Sequence, residues 1–254
     1  TASAMRMTFT AFGRASVLTV IALCVDQVAW GQVYPNWFLN QGSTKCIGTT
    51  IGYAQSSFYA DSATAQATRN AYENYSRNKA TRVSGGQAFW STEAGTFWMG
   101  ADFREDFDST IMQSASSSLS VLDTYASANV VIVLLGKKSC SVDDVDRARL
   151  PVHGTHPEWS DAPPKDEKYH YAVGVAPQYY YEVSSWMEAE RIARRSLARS
   201  LAVSVRSLQK KTIGEGQEIR QETIEITLRN AEMVARWIDT GKKIFYVLAR
   251  LPKV

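Results

Sequence analysis

Two aromatic pairs offer the clearest binding chemistry in the chain. Phe89-Trp90 and Phe97-Trp98 stand on either side of Glu93-Ala94-Gly95, within residues 85–103, a segment for which we predict no counterpart in the second half of the chain. This spacing predicts a β-hairpin with aromatic side chains near its tip. Exposed rings supply a large apolar contact area at a low cost in rotamer entropy, which suits protein interfaces and glycan-binding platforms. The alternative is that the rings fold back over the sheet of their own domain.

A basic surface is the second candidate. Arg191, Arg194, Arg195 and Arg199 fall largely on the side of a predicted helix that its apolar residues avoid. The sequence leaves three interpretations open: a solvated face, a contact for an acidic subunit, or a site for an anionic envelope polymer. A formal net charge of only +3 argues against a nucleic-acid-binding protein.

Catalytic chemistry and cofactor binding are not predicted. The sequence contains no nucleophile elbow, no phosphate-binding glycine loop and no paired metal motif. His153 and His156 could share a metal ion, with Glu158 and Asp161 nearby. Two histidines without a third fixed ligand are weak evidence for zinc, so we expect a noncatalytic protein in which they belong to a linker.

Residues 1–31 are predicted to be a signal peptide. A basic start is followed by an apolar run, Ala15 to Val25, and by a small-x-small cleavage site, Ala29-Trp30-Gly31. The run is about half as long as a membrane-spanning helix requires. The mature chain would begin at Gln32, lie in the periplasm or at the outer membrane, and contain no transmembrane segment.

Two of the three cysteines remain after cleavage, because Cys24 lies in the predicted leader. Cys46 is near the start of the first half of the chain and Cys140 near its end. In an exported protein this pair can form a disulfide that closes the first domain and stabilises it by roughly 4–5 kcal/mol. The alternative is two free thiols that never meet.

An internal duplication organises the chain. When residues 35–83 are laid on residues 157–205 without a gap, 12 of the 49 positions are identical. The identical pairs are Pro35/Pro157, Trp37/Trp159, Gly52/Gly174, Ala54/Ala176, Tyr59/Tyr181, Ser62/Ser184, Ala67/Ala189, Arg69/Arg191, Ala71/Ala193, Arg77/Arg199, Ala80/Ala202 and Val83/Val205. Several fall three or four residues apart, the spacing of one helix face, so we interpret them as a retained packing surface.

The second copy begins with a predicted strand and a long helix. Residues 168–176 alternate as a strand does, and Gly174 with Pro177 marks its end. Ser185 and Glu188 form a capping-box pair at the start of the helix. The apolar face of this helix comprises Trp186, Ala189, Ala193, Leu197, Leu201 and Val205.

A shorter helix and a hairpin complete the copy. Residues 217–228 predict the helix, and residues 231–238 and 243–251 predict the hairpin, with Gly241 supplying a positive φ in its turn. The first copy has the same plan, with a strand at 47–54, a helix at about 62–83, a polar segment at 107–118 and a hairpin at 119–135.

The predicted fold is α+β, with tandem repeats at residues 32–140 and 157–254 joined by a linker at residues 141–156. Each repeat would form a small antiparallel sheet with its helices packed on one face.

The second repeat resembles the twenty-kilodalton outer-membrane lipoprotein family, which includes a flagellar basal-disc protein. The resemblance depends on a tryptophan near the start of the repeat, on Gly174 to Ala176 at the end of a strand, on Ala189 to Arg191 in an alanine-rich helix, and on Ile244 to Ala249 in the last hairpin. It covers most of residues 157–254 and, more faintly, residues 35–140.

The resemblance implies a noncatalytic envelope protein that forms oligomers, often rings, around a flagellar motor or another envelope machine. Its partners would be further copies of itself or other envelope or flagellar proteins. The residues leave a second function open, a monomeric module that binds a glycan or other envelope ligand through Phe89, Trp90, Phe97 and Trp98.

Overall fold

The computed structural model describes residues 32–152, 156–205, 208–214 and 217–253, without the side chains of residue 98 and of residues 203–222. The predicted leader, Cys24 and His153 lie outside the described residues. The elements are β1 (Val33–Pro35), α1 (Asn36–Leu39), β2 (Thr50–Gln55), α2 (Ala60–Lys79), β3 (Ala80–Thr92), β4 (Gly95–Phe107), α3 (Ser109–Ser118), β5 (Leu119–Ala126), β6 (Val130–Lys137), β7 (Arg149–Pro151), α4 (Glu158–Asp161), β8 (Tyr169–Pro177), α5 (Glu182–Val205), β9 (Leu208–Gly214), β10 (Gln217–Arg229), β11 (Glu232–Asp239) and β12 (Ile244–Pro252).

The two repeats contain matching three-stranded antiparallel sheets. The first has the strand order β2-β6-β5 and the second the order β8-β12-β11, so the same connectivity occurs twice. In each, the strand before the long helix pairs with the last strand of the repeat. The predicted α+β class with small antiparallel sheets is confirmed, and so is the terminal hairpin of each repeat. In the second hairpin the positive φ lies at Lys243, not at Gly241.

One long helix packs on each sheet. The predicted apolar face of α5 is buried at Trp186, Ala189, Ala193 and Leu197. The helix begins at Glu182, before the predicted capping box, and the Ser185 hydroxyl instead accepts a hydrogen bond from the Tyr179 backbone N–H at 2.8 Å.

Asparagines hold the weaker helix, α2, on strand β2. The side chain of Asn70 accepts a hydrogen bond from the Tyr53 backbone N–H at 3.0 Å. Asn74 donates to the Ile51 backbone carbonyl at 2.9 Å. These residues are poor helix formers, and here they satisfy polar groups of the sheet.

The short helix predicted at residues 217–228 is wrong, because these residues form strand β10. Its β-branched residues favour an extended chain, and β10 lies between two other strands, β3 and β9. In the first repeat the polar segment at 107–118 does contain a helix, α3. The predicted helix at about 62–83 ends earlier, at Lys79, and β3 follows at once.

Both repeats share one hydrophobic core. Ile132 and Leu134 of β6 point into a core that also contains Trp186 and Leu197 of the second repeat. Alternate residues of the same strand, such as Val133, pack instead under α2 and α3. The first sheet is thus covered on both faces, which explains the unbroken apolar run of β6.

Part of the predicted linker at residues 141–156 is folded. Strand β7 pairs antiparallel with β1 at the start of the described residues. Val145 and Val152 are buried in the shared core.

The predicted disulfide between Cys46 and Cys140 is confirmed. The two Cα atoms lie 5.8 Å apart, and the cysteines are 94 positions apart in the sequence. The bond therefore encloses nearly the whole first repeat.

A glycine in each sheet allows the long helix to approach closely. A Cβ atom at Gly52 would overlap the backbone of Ala67 and Ala71 in α2. At Gly174 it would overlap the corresponding Ala189 and Ala193 of α5. All three positions belong to the identical pairs of the duplication. Selection has retained this contact in both repeats.

Substitution of these glycines is expected to destabilise the protein. Gly52→Ala and Gly174→Ala should each lower the free energy of unfolding by about 1–3 kcal/mol, because the added methyl group meets rigid backbone. Urea unfolding followed by tryptophan fluorescence measures the change. The matched control is Gly42→Ala, whose Cβ would meet nothing closer than 3.6 Å. Equal stability of all three variants would contradict the close contact.

Candidate functional site: the hairpin sheet

A four-stranded antiparallel sheet built by both repeats is the candidate site. Its strand order is β4-β3-β10-β9, so one long hairpin from each repeat lies beside the other. We predicted no counterpart of the aromatic hairpin in the second repeat, and this is wrong, because β9 and β10 are that counterpart. They lack its aromatic residues, which hid the equivalence from comparison of the sequences.

The seam between the hairpins is long. Strands β3 and β10 pair continuously from Ser91 opposite Glu218 to Ala80 opposite Arg229. Near the base of the hairpins, Val83, Ile224 and Leu228 are buried in the shared core. The sheet is therefore anchored at one end.

The predicted aromatic hairpin is present at the other end. Strands β3 and β4 form it around a turn at Glu93 and Ala94. The side chains of Trp90 and Phe97 are 39% and 49% exposed, with ring centroids 5.9 Å apart. Phe89 is half-buried, and the side chain of Trp98 lies outside the described part of the chain. Trp90 and Phe97 therefore do not fold back into a core.

The predicted arginine surface is only partly exposed. Arg194 is 6% exposed, forms an ion pair with Glu105 of β4 at 3.0 Å, and lies 3.9 Å from Glu190. The expectation of a basic surface is wrong at this residue, because the hairpin sheet covers this side of α5. Arg191 remains exposed and donates two hydrogen bonds to Glu188, at 2.7 and 2.8 Å.

The other arginines also serve packing. The guanidinium of Arg195 lies 5.2 Å from the centroid of the Phe103 ring, and burial lowers the pKa of Arg195. Arg199 is half-buried. A cleft of about 460 Å³ beside them is lined by Arg77, Arg191 and Arg194 together with Glu105, Glu188 and Glu190. Acidic residues thus match basic ones in this cleft, which makes it a poor site for a polyanion.

A buried ionic network fixes the repeats relative to each other. Arg236 of β11 donates hydrogen bonds to Glu190 of α5 at 2.7 Å and to the Tyr53 hydroxyl of β2 at 2.8 Å. It also donates to the Phe38 carbonyl and the Gln41 side chain, both at 3.1 Å. Tyr53 in turn donates to Glu190.

Burial and charge act in opposite directions in this network. Burial alone would lower the pKa of Arg236, but Tyr53 and Glu190 outweigh it and raise that pKa. Burial raises the pKa of Tyr53 well above its usual range. The network therefore joins a charged arginine and a neutral tyrosine to the Glu190 side chain, and their hydrogen bonds satisfy one another.

A second buried carboxylate, Glu182, lies at the start of α5. It accepts hydrogen bonds from Tyr34, from Trp186 at 3.2 Å and from Gln32 at 2.5 Å. Burial raises the pKa of Glu182, although these three donors act to lower it. Burial and the nearby Glu182 charge also raise the pKa of Tyr34. The cluster ties Gln32 and Tyr34, at the start of the described residues, to the second repeat.

Each repeat also carries a pair of exposed aromatic residues that we did not predict from the sequence. Phe58 and Tyr59 precede α2, and Tyr180 and Tyr181 precede α5 at the equivalent place. Phe58 is 96% exposed and Tyr180 is 94% exposed, and the rings in each pair meet edge to face. The identical pair Tyr59/Tyr181 was the available signal, and we assigned it to packing.

Comparison of the chain with protein-family models, with curated proteins and with solved structures gives no match. The family resemblance therefore stays a prediction.

The described residues contain no candidate metal-binding cluster, that is, no group of three or more histidine, cysteine, aspartate or glutamate side chains placed to bind a metal ion. None of their helices has the length and apolar content to cross a membrane. His156 contacts Ser160 and Asp161, each at 2.9 Å.

The raised pKa of Glu182 predicts a pH dependence of stability. In the folded protein this carboxyl binds its proton more tightly than in the unfolded chain. Its contribution to stability is therefore full below about pH 4.3, the usual glutamate value, and falls as the pH rises through the raised pKa. Glu182→Gln should remove this loss.

The measurement is urea unfolding of both proteins at a series of pH values. Stability of the wild type minus that of Glu182→Gln should decrease with rising pH, by at most about 1.4 kcal/mol per pH unit. An increase over the same range would show that the folded protein favours the carboxylate.

Proposed function

We propose that the protein is a noncatalytic scaffold subunit of the cell envelope that assembles with itself or packs into a larger periplasmic or outer-membrane structure. The observation that supports this most directly is the hairpin sheet, in which two copies of one folding unit already associate by strand pairing. Duplication has thus produced an assembly of two units within one chain.

The features retained by the duplication favour a structural role. Gly52, Ala67 and Ala71 fix the helix on the sheet in the first repeat, and their counterparts do so in the second. Of the retained surface residues, Tyr59 and Tyr181 offer apolar contact area. These groups suit protein contacts better than acid–base chemistry.

The location in the envelope is supported by the predicted leader and by the disulfide. Disulfides such as Cys46–Cys140 persist in oxidising compartments such as the periplasm. A flagellar motor is the assembly that the family resemblance implies.

Self-association is the expected outcome for the exported protein. Light scattering across a concentration series should give masses that are defined multiples of the subunit mass, because strand pairing is specific. The same series in reductant tests whether the Cys46–Cys140 bond supports assembly. A strict monomer at the highest concentration that also retains no envelope protein would rule out the scaffold.

The exposure of Trp90 and Phe97 favours a second candidate function, the binding of an envelope glycan by a monomer. If the protein has this function, the double variant Trp90→Ala with Phe97→Ala should no longer bind soluble peptidoglycan fragments, while its melting temperature stays nearly constant. Tyr180→Ala is the matched control, since its ring is also exposed but lies on a different loop. A large drop in melting temperature would show that the two rings are structural.

A further inference from the structure

The two long hairpins have tips at corresponding residues, although each contains a β-bulge at a different place. β3 ends at Thr92 and β9 at Gly214, while β4 begins at Gly95 and β10 at Gln217. The distance along the sequence from Thr92 to Gly214 equals that from Gly95 to Gln217. It also equals the distance from residue 35 to residue 157, which the duplication lays on each other. β3 and β9 are therefore equivalent strands, and so are β4 and β10.

The seam does not join equivalent strands. In the order β4-β3-β10-β9, the first strand of one hairpin pairs with the second strand of the other. Such a contact between two different surfaces of like units is heterologous, and it leaves one copy of each surface unused. The unused surfaces are the outer strands, β4 and β9.

We propose that β4 of one subunit pairs antiparallel with β9 of a second copy of this chain, so that successive subunits continue one sheet. This inference rests on the proposed scaffold function and names the partner and the contact. A heterologous contact closes into a ring when its rotation permits and otherwise forms a filament.

The outer strand β4 has the properties of an interface. It is 13 residues long and contains no proline. Natural proteins normally blunt an exposed strand of this kind with a proline, charges or a covering element. The charged residues of β4, which are Asp102, Arg104, Glu105 and Asp106, all lie in the half near the base. The tip half carries Phe97 and Met99, which are 49% and 57% exposed. Backbone groups on the outer edge and these side chains would be covered together by β9.

The internal seam also supplies the register of the proposed contact. It places Ser91 of β3 opposite Glu218 of β10. Within the hairpins Ser91 pairs with Thr96 and Thr212 with Glu218, because a β-bulge leaves Ile213 without a ladder partner. Transfer to the equivalent strands therefore places Thr212 of β9 opposite Thr96 of β4 in the next subunit. The tips of all hairpins would then lie at the same level.

A disulfide cross-link tests this register. The exported double variant Thr96→Cys with Thr212→Cys is oxidised mildly and run on a non-reducing gel. Within one chain, two strands separate β4 from β9, so the new cysteines are roughly 14 Å apart and cannot bond internally. Each subunit would bond to two neighbours. We expect a ladder of dimers, trimers and larger species that collapses in reductant.

Matched variants make the result specific. Thr96→Cys with Lys211→Cys shifts one cysteine by a residue along the regular part of β9 and turns it to the other face, so the ladder should be lost. A mixture of the two single variants, Thr96→Cys and Thr212→Cys, should stop at dimers. Dimers from Thr96→Cys alone would mean that β4 pairs with β4, which overturns the proposal.

The outcomes separate the inference from the proposed function. Oligomers by light scattering without a ladder would overturn the β4–β9 contact and leave the scaffold standing. A monomer by light scattering that also retains no envelope protein, again without a ladder, would overturn both.

Discussion

The structure depends first on the distance between each long helix and its sheet. Gly52 and Gly174 have no side chain to hold the helix away, so the backbones of α2 and α5 lie directly on β2 and β8. In the first repeat the helix passes straight into β3, with no residue between Lys79 and Ala80. The position of the helix on its sheet thus fixes where the long hairpin starts. Loss of that position would displace the strand that forms the seam.

The second constraint is the orientation of the repeats. Arg236, Glu190 and Tyr53 come from three elements in two repeats, and their hydrogen bonds require these elements to meet in one arrangement. Buried ionic groups of this kind add little net stability compared with apolar residues, because their desolvation offsets their attraction. Here the network acts together with the shared core, which supplies the apolar burial. With both repeats held in place, β3 and β10 meet along their full length.

The sequence predicted the local structure better than the contacts between distant parts. The ungapped duplication identified two repeats, and the alternating residues at 168–176 identified β8. Residues 217–228 were wrongly predicted to be a helix because a short apolar segment such as β10 is compatible with a helix or a strand. Only its pairing with β3, more than 120 residues away, determines that it is a strand. Arg194 looked solvent-exposed for a similar reason: nothing local reveals that Glu105 lies over it. The Tyr59/Tyr181 pair was visible, but identity in a duplicated chain does not distinguish a buried contact from an exposed one.

The disulfide makes the two repeats mechanically unequal. Tension applied between the ends of the chain would run through the covalent bond between Cys46 and Cys140 and bypass the residues that it encloses. That span of 94 positions could otherwise lengthen the chain by roughly 320 Å when fully extended. Only the second repeat and the short end segments could then yield to a pull. In an oxidising compartment the first repeat would behave as a fixed link, and reduction would turn it into an extensible one.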